Sequence, residues 1–205
     1  MKIAILTFQG FNELDSLIAL GILNRVRKPG WRVALCCPEP EVTSMNGVTI
    51  RAQSLLEEAR LADAVIVGSG IRTREVAADP PLLRRLALDP KRQLIAAQCS
   101  GTLLLAKLGL LGTVPACTDL TTRPWVQEAG VEVLNQSFHA QGNIATAGGC
   151  LASPYLAAWI IARTEGPEVA AAALHYVAPV GEKDEYVSRA MANITPCLPH
   201  PAPMS

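Results

Sequence analysis

Short aliphatic, β-prone runs alternate along this chain with segments whose apolar residues recur three and four apart, and this alternation restricts the fold more than any other feature. Parallel strands need long crossovers, and the usual crossover is a helix, so strand–helix repetition specifies a parallel sheet covered on its faces by helices. The pattern predicts strands over residues 2–7 and 31–37 with a helix over 14–26 between them, and Pro29-Gly30 as punctuation. Residues 42–52 carry Asn46-Gly47 between two β-prone segments, a hairpin signal because both residues tolerate positive φ. A short helix is expected over 54–60, a buried strand over 64–67 ending in Gly68-Ser69-Gly70, and a helix over 81–88. The strand over 93–97 runs into Gln98-Cys99-Ser100-Gly101, and the helix over 102–108 stops at Gly109. Further strand signals lie at 114–118 and 131–134, a hairpin at Gln141-Gly142-Asn143, and apolar helices at 154–163 and 167–176.

These elements imply an open, mostly parallel sheet flanked by helices, a three-layer α/β sandwich, in one domain over residues 1–195. The tail, 196–205, contains four prolines and is expected to be irregular. A chain of 205 residues, half of them hydrophobic, is long enough to bury a sizeable core. Eighteen basic residues balance eighteen acidic ones, so no positive field exists to gather nucleic acid or an anionic membrane, and a small neutral substrate is the expected partner. The opening apolar run ends at Thr7, too soon for a signal peptide, and residues 144–162 include paired glycines, Ser153 and Pro154, which do not suit a membrane span. Six cysteines without C-x-x-C spacing read as reduced thiols, so a cytoplasmic location is expected. No His, Cys and carboxylate group shows metal-ligand spacing, and Gly68-Ser69-Gly70 is too short for a dinucleotide fingerprint, so neither metal nor cofactor is expected.

In an open α/β sheet ligands bind beyond the carboxyl ends of the strands, which makes a strand-to-helix turn the place for a reactive side chain. Cys99 sits at such a turn, with Ser100 and Gly101 allowing the backbone to bend sharply. The N–H groups of the following helix point toward the sulfur, and helix starts lower a thiol pKa, so Cys99 is expected to be a nucleophile ionised near neutral pH. The other cysteines lack this setting: Cys36 and Cys37 end a strand, Cys117 is placed within one, and Cys150 precedes an apolar helix.

The segments AAQCSGTLLLAKLGLLG, VIVGSG and GNIATAGGCLASPYLAAWII together resemble the ThiJ/PfpI superfamily over most of the chain, and most closely its isonitrile hydratase branch and the ligand domains of some AraC-type regulators. The resemblance implies a flavodoxin-like sandwich with a nucleophile elbow. It also implies, through Gly10-Phe11-Asn12-Glu13-Leu14-Asp15, that Asp15 is the general acid and base beside Cys99, with Glu13 as the spare acid. Gly70 and Ile71 match the loop whose backbone N–H groups, with that of Ser100, would stabilise an anion. Two departures stand out: Ser100 follows the nucleophile where protease-like members carry histidine, and Asp119 follows Thr118 where the branch shows histidine, which leaves Asp119 as a candidate substrate contact. None of His139, His175 and His200 is placed beside Cys99 by motif. The implied activity is hydration of an isonitrile to an N-substituted formamide, a lyase reaction in a homodimeric enzyme. The alternatives are glyoxalase, deglycase or amidase-like chemistry, or a non-enzymatic redox-sensing or ligand-binding protein.

Overall fold

The computed structural model describes residues 1–199. Its first strand, β1 (Lys2–Leu6), is buried from Ile3 onward, which suits a strand covered on both faces. Helix α1 (Glu13–Leu23) follows, capped by Asn12, whose side chain accepts from the Leu14 N–H. It starts one residue before the expected position and ends three before it, because Asn24 turns its side-chain amide onto the Leu20 carbonyl at 2.9 Å and closes the helix there. Strand β2 (Arg32–Cys37) leads to a separate hairpin, β3 (Glu41–Thr43) with β4 (Thr49–Arg51), that turns at Asn46-Gly47. The helix expected over 54–60 is instead strand β5 (Ser54–Leu55) and a 3-10 turn (Leu56–Leu61), since Ser54 and Leu55 pair alongside Cys36 and Cys37.

Strand β6 (Ala64–Val67) lies where predicted and leads to two short helices, α2 (Thr73–Ala77) and α3 (Pro80–Arg84), of which only the second was foreseen. Strand β7 (Leu94–Gln98) enters the elbow, and α4 (Gly101–Lys107) leaves it. The runs at 114–118 and 131–134 do not form strands; they touch at one isolated bridge, Ala116 to Val133, on either side of α5 (Arg123–Glu128). Cys117 therefore lies in a connecting segment. The expected hairpin is β8 (Phe138–Gln141) with β9 (Ile144–Ala147), followed by a 3-10 turn (Cys150–Ala152) and helices α6 (Ser153–Glu165) and α7 (Pro167–Val177). Helix α8 (Lys183–Ile194) was missed, because it is largely polar and only Ala190 and Ile194 of its twelve residues are buried, although Tyr186, Val187, Ala190, Met191 and Ile194 do recur three and four apart. A 3-10 turn (Thr195–Cys197) occupies the start of the expected tail; residues 200–205, with His200, lie outside the described residues.

Strands β5-β2-β1-β6-β7-β9-β8 form one sheet in that order, parallel throughout except for the β8 edge. One core lies between the sheet and α1, α6, α7 and α8, built around Trp159, Leu156 and Ile161; the other lies under α4 and α5, around Leu104, Leu105 and Val67. No helix among the described residues is long and apolar enough to cross a membrane. The elbow itself requires glycine at one position. A Cβ on Gly101 would stand 2.5 Å from the Val67 carbonyl oxygen and 2.7 Å from that of Gly68, both backbone atoms that cannot swing aside. Gly101→Ala is expected to cost about 1–3 kcal/mol, as overpacked sites do. Thermal unfolding should show this as a lower Tm, and an unchanged Tm would mean that the strand–helix contact is looser than described.

Candidate active site

Cys99 is the one non-glycine residue with positive φ among the described residues, at 47°, a left-handed conformation that costs strain and persists only where its surroundings hold it. Its N–H donates to the Ala147 carbonyl at 2.8 Å, and the Thr118 hydroxyl donates to its carbonyl at 2.8 Å. These two bonds fix the backbone of the elbow from β9 and from the segment after Cys117. The side chain is buried, 4 % exposed, at the inner end of a cavity of about 420 Å³ whose wall includes Asn12, Ser69, Cys99, Ser100 and Cys150.

The start of α1 is brought to the same place by backbone pairing. Phe11 and Gly70 form an isolated bridge, and the Asn12 N–H donates to the Ser69 carbonyl at 2.9 Å. Asp15, in the first turn of α1, is then buried at 1 % exposure beside Cys99, and the Ser69 hydroxyl donates to its Oδ2. Glu13 points elsewhere: its carboxylate accepts from the Ser44 hydroxyl and, at 2.9 Å, from Asn46 Nδ2, which ties the β3–β4 hairpin to α1. The Ser44 hydrogen bond holds the Glu13 carboxyl below its ordinary range, so the spare acid acts as a tether for the hairpin.

Cys150 is the residue that sequence reasoning passed over. Strands β7 and β9 are parallel neighbours with Gln98 opposite Ala147, so the segments leaving their carboxyl ends run side by side. Cys150 thereby joins Asp15 and Cys99, with one side-chain atom of each lying within 4.8 Å of the others. Four adjacent strands, β1, β6, β7 and β9, thus each send one residue (Asp15, Ser69, Cys99 and Cys150) to a common point beyond their carboxyl ends. Linear spacing cannot register this group, because its three residues lie far apart in sequence. Asn12 is also shared, its Oδ1 capping α1 while its Nδ2 donates to Cys150 Sγ at 3.1 Å.

Burial raises the Asp15 carboxyl above its ordinary range, with the Ser69 hydrogen bond opposing. Burial, then the neighbouring Asp15 and Cys150, push the Cys99 thiol far upward, and burial raises Cys150 as well. The expected resting thiolate is corrected accordingly. Helix α4 has only seven residues, and burial of the sulfur is the largest cause of its upward shift. Burial likewise lifts Cys36 and Cys37 to about 11 and Cys117 to about 12, which leaves those three as protonated core thiols.

The anion-stabilising loop also differs from expectation. The Gly70 N–H is taken by Ser100 Oγ at 3.2 Å and the Ile71 N–H by the Gly10 carbonyl at 2.9 Å, so neither is free for a ligand, although both residues line the cavity. The Ser100 hydroxyl is also bonded to Thr73 Oγ1 at 2.8 Å and serves to lock this loop. Among the described residues no acceptor takes the Ser100 N–H, which leaves it as the donor next to Cys99. Asp119 reaches the cavity wall, and its Oδ1 accepts the N–H groups of Thr121 and Thr122, each at 2.9 Å, which shapes the turn into α5. Asp119→Asn retains that acceptor and is expected to leave turnover close to wild type; a loss as large as that of an Asp15 variant would assign Asp119 a proton-transfer role. His139 lies in β8 and His175 in α7, and neither lines the cavity. Burial lowers the His139 pKa, which favours the neutral imidazole.

A second, larger cavity of about 520 Å³ lies between α1, α6 and α8, walled by Leu17, Ile18, Tyr155 and Tyr186. It contains no thiol or carboxylate, so the Cys99 cavity is the stronger candidate site.

The sequence pattern of the DJ-1/PfpI family matches residues 1–163. No curated protein matches the chain. Among solved structures it is similar to a ThiJ/PfpI family protein from Pseudomonas syringae at 20% identity and TM-score 0.77, covering 94% of this chain and 90% of that one. It is similar to a DJ-1 superfamily protein from Salmonella typhimurium, solved as a cysteine-to-alanine mutant, at 24% identity and TM-score 0.74, covering 87% and 98%. An AraC family transcriptional regulator from Pseudomonas putida aligns at 18% identity and TM-score 0.75, covering 86% and 99%. At these identities the structural likeness establishes the fold alone, whereas the sequence pattern spans most of the chain. The chain belongs to the DJ-1/PfpI family.

Proposed function

We propose that this protein is a cysteine-dependent hydratase that converts small neutral isonitriles to N-substituted formamides, with Cys99 as nucleophile and Asp15 as acid and base. The observation that carries this reading is the Cys99–Asp15 pair: a buried thiol beside a buried carboxyl, with no histidine lining the cavity. Two negative charges this close in a desolvated pocket are strongly disfavoured, so the pair works with one negative charge and one shared proton. Sulfur becomes nucleophilic as its proton passes to Asp15, and the same proton is then available to the carbon that sulfur attacks.

In this sequence of steps, Cys99 Sγ bonds to the terminal carbon of R–N≡C while Asp15 protonates that carbon, giving the thioimidate R–N=CH–S–Cys99. Water adds to the same carbon, Asp15 takes one of its protons and hands it to the nitrogen, and as the carbon–sulfur bond breaks the remaining hydroxyl proton passes through Asp15 to the departing sulfur, leaving the carbonyl. The products are R–NH–CHO and the restored thiol, so the net reaction is addition of one water molecule. Covalent catalysis divides a difficult hydration into two easier additions. Met45, Ile71 and Trp125 on the cavity wall suit an apolar R group. Incubating the purified protein with cyclohexyl isonitrile should produce the formamide, visible by proton NMR. Failure of the wild type to form it, or turnover of methylglyoxal alone, would contradict the reading.

A further inference from the structure

The proposed turnover uses one sulfur, yet the pocket floor holds two. Atoms of Asp15, Cys99 and Cys150 lie within 4.8 Å of one another. A four-coordinate zinc ion, with bonds of about 2.3 Å to sulfur and 2.0–2.2 Å to oxygen, places its sulfurs roughly 3.8 Å apart and sulfur and oxygen roughly 3.6 Å apart. Side-chain movements of about 1 Å close the cluster to those dimensions.

A second feature of the cluster points to a ligand. Asp15 is 1 % exposed, its Oδ2 is bonded to Ser69, and apart from the Cys99 and Cys150 thiols beside this carboxyl its Oδ1 has no hydrogen-bond partner among the described residues. A buried carboxylate oxygen left unpaired is costly, and a cation relieves that cost.

All three side chains are also oriented from outside the cluster. The Ser69 hydroxyl holds Asp15, Gln98 Nε2 donates to Cys99 Sγ at 3.4 Å, and Asn12 Nδ2 donates to Cys150 Sγ at 3.1 Å. Gln98 is fixed in turn by a 2.8 Å bond from Nε2 to the Gly149 carbonyl. Outer partners of this kind set the rotamers of metal ligands and, through N–H donation to sulfur, stabilise bound thiolates.

We propose that Asp15, Cys99 and Cys150 form a three-ligand site for a thiophilic divalent cation such as Zn²⁺, with the fourth position facing the cavity. On binding, Cys99 and Cys150 each release a proton to solvent and donate a sulfur lone pair to the ion; no electron is transferred. The ion occupies the lone pair that Cys99 would use for attack, so it blocks any chemistry of that sulfur. The site stands on the cluster geometry and does not depend on the isonitrile reading.

The test uses fully reduced full-length protein, without substrate. Zn²⁺ is titrated in competition with a chromophoric chelator, and Cd²⁺ is titrated while the thiolate-to-metal absorption is followed in the ultraviolet. One ion per chain is expected, with the Cd²⁺–thiolate absorption reduced in Cys150→Ser and lost in Cys99→Ser/Cys150→Ser. Asn12→Ala, which keeps all three ligands, is expected to weaken binding by about 10–100-fold, the usual effect of removing an outer partner. Circular dichroism of each variant checks that it folds. Cys150→Ser binding Zn²⁺ as tightly as wild type would overturn the proposal. So would persistence of the Cd²⁺ absorption in the double variant, which would place the ion on the remaining cysteines.

Discussion

Cys99→Ala is expected to abolish formamide production, with a loss approaching the roughly 10⁶-fold seen when the nucleophile of a covalent enzyme is removed. The expectation follows from position. Cys99 alone among the six cysteines sits on a strained elbow with a free neighbouring N–H, and it is placed where the carboxyl ends of four strands converge. Alanine leaves the elbow hydrogen bonds to Ala147 and Thr118 intact, since both involve backbone atoms of residue 99, so the variant should fold. Cys117→Ala supplies the control: it removes a buried thiol outside the cavity and should retain turnover. NMR rates for the three proteins check both statements, and residual turnover in Cys99→Ala within tenfold of wild type would reassign the nucleophile.

Asp15→Asn is expected to lower turnover by about 10²–10⁴-fold, the range for loss of a positioned acid or base. It is also expected to raise stability at neutral pH. The Asp15 pKa in the folded protein lies above its ordinary 3.8, so folding favours the protonated form. Whatever stability that preference supplies is complete below the unfolded pKa and is lost as pH rises through the folded value. Asparagine is neutral throughout, keeps an oxygen for the Ser69 hydroxyl and escapes the loss. The Tm of Asp15→Asn should therefore exceed that of wild type near pH 7, and the gap should narrow toward acid. Loss of both activity and Tm would instead mean that Asp15 is a structural cap.

Much of this architecture was legible because burial on both faces leaves an aliphatic run with little choice: β1, β6 and β7 read directly from Ile3, Val65 and Ile95 and their neighbours. The elbow was legible too, because Cys99-Ser100-Gly101 must turn between a strand and a helix. Cys150 was not, since its role arises only when β7 and β9 pair and carry their trailing segments together. The Gly70 and Ile71 donors were misread because their acceptors, Ser100 Oγ and the Gly10 carbonyl, come from distant stretches of chain. The run at 114–118 has strand composition but meets only Val133, and composition cannot supply a partner. Desolvation of Cys99 was likewise invisible: sequence shows the helix that follows the sulfur, while its burial is set by the residues that close around it.

The proposed turnover depends on one bond, between Cys99 Sγ and the substrate carbon. Acid-quenching the protein during turnover of an alkyl isonitrile and measuring its intact mass detects that bond directly. A fraction of chains is expected to be heavier by one isonitrile, with the added mass on the peptide that contains Cys99. Formamide production with the added mass on Cys150, or with no modified Cys99 at any quench time, would contradict it.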